Sequence, residues 1–182
     1  MRCFCCRSTF TTARTRQPRK ELRRADLRFD EGPDGQILLL NKRDGSIRAA
    51  WSNGLVRDFR THRLIPVLSD VTAAEVSSAP EPVKALHREL LSLAGGVLQV
   101  TLEITSLVAA YQARRILPAR MAADMTHIAL ATVAGVDTLV SWNFKHIVRL
   151  EKIRLFNAVN VELGYRVLSI LSPREVTTYE GH

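Results

Sequence analysis

Cysteine is scarce, and its three copies, Cys3, Cys5 and Cys6, crowd into the first six residues. A zinc site takes four ligands, with about two to four residues between paired cysteines. That spacing is missing here, and the nearest histidine is His62. The expectation is a reduced, disordered tail. No apolar run approaches the roughly 18 residues that cross a bilayer. The opening MRCFCCRSTF lacks the continuous apolar segment of a secretory signal. A soluble, cytoplasmic chain with no membrane partner is therefore expected. Neither GxGxxG nor GxxxxGK[ST] occurs, and the lack of a glycine-rich phosphate loop weighs against a small α/β ligand-binding module.

What is present fits one domain with an appended tail. A chain of 182 residues, 46% of them hydrophobic, can bury a real core. The net charge of +8 and the pI near 10.0 favour polyanionic partners through counterion release and steering. Nucleic acid comes first among these, and an acidic protein second.

The pattern changes near residue 50. Residues 1–35 are rich in Arg and Thr and hold no sustained apolar period. Glu-Gly-Pro-Asp-Gly at 31–35 marks a loop, and Ile37–Leu40 is a short run suited to a buried strand. From Trp51 the order sharpens. Trp51, Leu55, Val56 and Phe59 predict a helix running into Arg63, and LIPVL at 64–68 a short buried strand. Ser69 or Asp70 can cap the helix that carries Val71, Ala74 and Glu75. Further helices are expected over 83–93, 102–116 and 122–133, stopped by Gly95-Gly96, Pro118 and Gly135. DTLVSW at 137–142 is a strong strand, helical segments follow over 145–164, and a strand over 166–170 precedes Pro173. Strands alternating with helices imply an α/β fold with a mainly parallel sheet, whose cleft lies beyond the C-terminal strand ends.

Three oxygen ligands suited to Mg²⁺ or Mn²⁺ fall where that rule points. Glu75 follows the strand LIPVL, Asp124 opens the helix ADMTHIALA, and Asn143 follows TLVSW. Each has a plain alternative: a solvated acid, a residue placed for the helix dipole, or a turn former. In this order, however, ADMTHIALATVAGVDTLVSWNFKHIV resembles the third and fourth motifs of the PIN-domain family. VLSDVTAAEV is similar to that family's second motif, a Ser-x-x-Thr-x-x-Glu helix start. LGYRVLSILSPREV resembles the closing segment of its VapC-like toxin subgroup.

The resemblance implies a three-layer α/β/α PIN-like fold over residues 36–176, best marked over 51–176. A basic, disordered or atypical segment at 1–35 precedes it, and a tail at 177–182 follows. It implies a metal-dependent ribonuclease of a toxin–antitoxin system. Glu75, Asp124 and Asn143 would act as catalytic and metal-binding residues for Mg²⁺ or Mn²⁺, and Ser141 would bind a substrate phosphate or orient a ligand. Lys145 and His146, just beyond Asn143, have contact with substrate phosphates and a solvated loop position equally open to them. RNA, a cognate antitoxin and a homodimeric copy are the partners implied. His127, one turn beyond Asp124, has packing, hydrogen-bonding and ligand roles open to it. The family's first motif, a strand ending in Asp followed by Thr or Ser, is not found. The nearest run, QILLLNKRDG, ends in Asn41. One explanation is a divergent or wrongly framed N-terminal third. The alternative function is thus a catalytically impaired PIN-like protein that binds RNA or an antitoxin without cutting.

Overall fold

The structure is a computed structural model that describes residues 23–28 and 45–177, with side chains from Trp51 onward. In chain order the elements are β1 (Arg23–Arg28), α1 (Gly45–Arg60), β2 (Leu64–Ser69), α2 (Asp70–Ser77), α3 (Glu81–Leu93) and β3 (Gly96–Leu98). There follow α4 (Leu102–Ala113), α5 (Ala122–Ala134), β4 (Thr138–Ser141), α6 (Leu150–Glu162), β5 (Ser169–Leu171) and α7 (Pro173–Val176). The cysteines, the run Ile37–Leu40 and the tail beyond Thr177 lie outside the described residues.

The expected α/β class holds. All strands pair in parallel in the order β3-β2-β1-β4-β5. From β1 the chain builds outward through β2 and β3, then crosses to the other side of β1 for β4 and β5. The topological switch point therefore lies between β1 and β4, where open parallel sheets place their clefts.

The central strand comes from the segment expected to be irregular. In RRADLR only Ala25 and Leu27 alternate with charged residues, too short a pattern to read as a strand. Ladders on both sides supply the order that local propensity does not: Asp26 pairs with Val67 and with Leu139.

β2 carries Pro66 although it lies between two neighbours. A proline there would normally cost a ladder bond. Pro66 O, however, accepts from Gly95 N at 2.9 Å, and the β3 pairing begins only at Val67. N–H and C=O of one strand residue point to the same side, so the missing N–H would face the end of β3 where no acceptor is needed.

Successive strand residues feed two separate cores, as a sheet buried on both faces requires. Val67 and Leu139 join Ile104, Leu107, Tyr111, Ile128 and Phe156, from α4, α5 and α6. Leu68 and Val140 join Leu55, Phe59 and Leu90, from α1 and α3. Helix α5 is rich in alanine, the strongest helix former, and its small Ala129 and Ala131 are fully buried. Gly135 ends α5 with φ 63°, and a Cβ there would lie 2.8 Å from Arg166 Nη2.

Several boundaries depart from the sequence reading, and the helix expected over 102–116 already ends at Ala113. Residues after Asn143 turn before α6 begins, with Ile147 N and Val148 N both donating to Asn143 O. The last strand starts only at Ser169, because Asn157 takes the place of a strand neighbour. Its Oδ1 accepts from Leu168 N and its Nδ2 donates to Leu168 O. Pro173 then opens α7 from a Ser172–Glu175 capping box instead of closing the domain. Beyond α7, Thr177 donates to the buried Asp58 at 2.6 Å, and Arg63 pairs with the same carboxylate, so Thr177 is fastened to α1.

His87 is buried on α3, and its Nε2 has no hydrogen-bond partner among the described residues. Burial lowers its pKa below the ordinary imidazole value. As pH falls through about 6.5 the unfolded chain takes up a proton that the folded chain refuses. This contribution leaves stability intact above that pH and erodes it below. His87→Leu is expected to shrink the drop in melting temperature between about pH 7 and pH 5, read from thermal melts at both.

Candidate functional site

Parallel pairing brings every strand's C-terminal end to one edge of the sheet, and the sequence-predicted residues gather there. At the end of β2, Ser69 Oγ accepts from Thr72 N at 3.2 Å and contacts Thr72 Oγ1 at 2.9 Å. This buried cap fixes the start of α2 and explains the Ser-x-x-Thr spacing. Asp70 does not cap the helix, and its Oδ2 accepts from Val100 N at 3.1 Å. Glu75 follows Thr72 by one turn on the same face, with its side chain one-third exposed at 33%.

Asp124 lies in the first turn of α5, where the N-terminal end of the helix dipole favours a negative charge. It is nevertheless only 3% exposed. His127, one turn on, is fully buried and places Nε2 at 3.2 Å from Glu75 Oε1. Glu75 therefore meets the helix that carries Asp124, one turn from that acid.

Asn143 follows β4. Its backbone N donates to the fully buried Ser141 Oγ at 3.0 Å. Its side-chain Oδ1 accepts from His146 N at 2.9 Å. His146 N–H can only donate, so the amide oxygen must face it, and the amide nitrogen is left facing Asp124. Nδ2 lies 3.4 and 3.5 Å from the two carboxylate oxygens, long contacts of donor to acceptor. The oxygen that a metal-ligand role needs is thus committed to the turn, and Asn143 meets Asp124 as a donor. Ser141 is buried and shapes that turn, so of the two roles open to it, binding a phosphate or orienting a ligand, its observed contact belongs to the second.

Lys145 is exposed and His146 half-buried beside them. Phe144 is 45% exposed, and its ring centroid lies 6.1 Å from that of Trp142. The Trp142 Nε1 donates to Ser52 Oγ at 3.0 Å, which ties β4 to α1. Within the basic group flagged by the sequence, Arg114 pairs with Glu162, while Arg115 and Arg120 are exposed ahead of α5.

Glu75, Asp124 and Asn143 all lie at this edge, and the strand between the segments that carry them was not read from the sequence. β1 ends at Arg28 beside Ser141, and its one acid, Asp26, sits two residues deeper beside Leu139. The alternation of Ala25 and Leu27 was the available signal. Among the described residues, no three His, Cys, Asp or Glu side chains form a group able to hold a metal ion. Among the described residues, no helix is long and apolar enough to cross a membrane. No family model, curated protein or solved structure matches the chain.

Proposed function

We propose that this chain is a metal-dependent endoribonuclease of the PIN-domain toxin type. Its fold would be the three-layer α/β/α arrangement, which the two buried clusters fed by alternate strand residues support. One observation carries the reading. Glu75, Asp124 and Asn143 come from three separate segments and are linked through α5 at the C-terminal edge of a parallel sheet.

The donor chemistry fits a hard divalent cation. Mg²⁺ and Mn²⁺ take oxygen ligands, and Mg²⁺ commonly accepts one or two carboxylates, completing its shell with waters and phosphate oxygens. Glu75 and Asp124 would hold the ion, with the Asn143 amide orienting Asp124. When bound, the ion would lower the pKa of a water and offset charge gathering on a phosphodiester. The protein's own part is to fix Asp124 against Asn143, tie Glu75 to His127, and present the exposed Lys145 to backbone phosphates. His146 flanks that path. RNA as substrate, a cognate antitoxin over the cleft, a homodimer and a cytoplasmic location belong to the same reading, and the charge of +8 supports the first.

A second reading, a catalytically impaired PIN-like protein that binds RNA or an antitoxin, is favoured by β1. The strand ends at Arg28, beside Ser141, whereas the family's first strand ends in an Asp. Incubating folded protein with labelled RNA, in Mn²⁺ and in EDTA, separates the two. Cutting that needs Mn²⁺ and disappears in Glu75→Gln supports the nuclease. Intact RNA throughout favours the second reading.

A further inference from the structure

His127 is fully buried, yet one of its nitrogens is wasted. Nδ1 has no hydrogen-bond partner among the described residues, while Nε2 lies 3.2 Å from Glu75 Oε1. An ionised carboxylate can only accept, so Nε2 carries the proton and Nδ1 is left with a buried, unused lone pair. Leucine or methionine would fill similar space without stranding a polar atom. The residue is therefore in place for what its other nitrogen does.

That nitrogen reaches a partly exposed carboxylate. Glu75 is a long side chain on α2, one-third exposed. Asp124, by contrast, is buried on α5. Because His127 stands one turn from Asp124 on that helix, a bond to Glu75 refers both carboxylates to a single rigid element. The spacing of the acids is then set by the helix.

Resting on the reading of Glu75 as a metal ligand, we propose that His127 is a positioning residue: its Nε2–H tethers the Glu75 carboxylate so that α5 holds both acids in register for one cation. A partner behind a ligand commonly governs metal affinity by about 10- to 100-fold. Usually a carboxylate orients a histidine ligand; here the histidine orients the carboxylate.

The test is Mn²⁺ binding to the full chain by electron paramagnetic resonance, with folding checked by circular dichroism. His127→Leu should weaken binding by about 10- to 100-fold. His127→Gln, whose amide keeps a donor near the position of Nε2, should recover most of the loss. In a Glu75→Gln background His127→Leu should add nothing further, since the tether has no carboxylate to hold. Unchanged affinity in His127→Leu, failure of His127→Gln to recover it, additive losses, or nitrogen coupling showing His127 bound directly to Mn²⁺ would each overturn the proposal.

The metal-free protein gives an independent reading. Long-range ¹H–¹⁵N spectra should show His127 protonated at Nε2, with a shift that moves in Glu75→Gln. A proton on Nδ1, or no response to that variant, overturns the tether. Absence of Mn²⁺ binding by the wild type would sink the metal reading, and this spectrum then decides the tether by itself.

Discussion

On the proposed nuclease reading, Asp124→Asn is expected to reduce Mn²⁺-dependent RNA cleavage by about 100-fold or more while leaving the fold intact. The two side chains have nearly the same shape, so the first turn of α5 and its packing survive the change. The charge does not. Asp124 is 3% exposed and faces the amide nitrogen of Asn143. An asparagine there would set an amide against an amide and offer a cation one neutral oxygen in place of a carboxylate. With no group of three candidate ligands among the described residues, neither remaining side chain can compensate. Circular dichroism and melting should match the wild type while cleavage is lost. An Asp124→Asn variant that cuts RNA as fast as the wild type would remove this acid from the chemistry.

The largest expected loss of stability comes from a residue far from that edge. Asn160→Leu should destabilise the protein by about 2–4 kcal/mol, lowering the melting temperature by roughly 5–15 °C for a chain of this size. Asn160 is fully buried on α6. Its Oδ1 accepts from Tyr111 Oη at 2.5 Å, and its Nδ2 donates to Thr132 Oγ1 at 3.1 Å and to Asn157 Oδ1 at 3.3 Å. One amide thus joins α4, α5 and α6 and supports the side chain that pairs with Leu168. Burial raises the Tyr111 pKa far above its usual value, so its hydroxyl stays protonated as the donor. Leucine fills similar volume but takes the amide away from the Tyr111 and Thr132 hydroxyls, leaving them only each other in a packed core. Tyr111→Phe alone removes one bond and should cost about 1 kcal/mol, with its ring still packed edge-on at 4.9 Å from Phe156. Urea denaturation of both single variants and the double variant measures the coupling. Strictly additive losses would mean that the network is not one unit.

The sequence made some of this legible and hid the rest for definite reasons. Apolar β-branched runs such as LIPVL and TLVS, and the alanine-rich α5 stopped by Gly135, carry their own signals, and they form where expected. Glu75 and Asp124 were readable because each follows a local device, a cap in one case and a helix start in the other. β1 was not readable. Its order comes from ladders to β2 and β4, contacts distant in sequence that no window of six residues contains. The orientation of the Asn143 amide was hidden likewise, since it depends on which way His146 N points. The role of Asn157 beside Leu168 is a third case, an amide replacing a strand neighbour. The pairing of His127 with Glu75 joins two helices, and helical spacing alone could place His127 only near Asp124.

The claim on which the rest depends is that Glu75 and Asp124 serve one cation together. A Mn²⁺ titration of the folded full chain, followed by the loss of the free-ion resonance signal, tests it most directly. The account predicts one saturable site, competed by Mg²⁺, and weakened strongly by Glu75→Gln and by Asp124→Asn, with the double variant little worse than either alone. Folded protein that leaves the Mn²⁺ signal unchanged, or that binds it equally well in both variants, would contradict it.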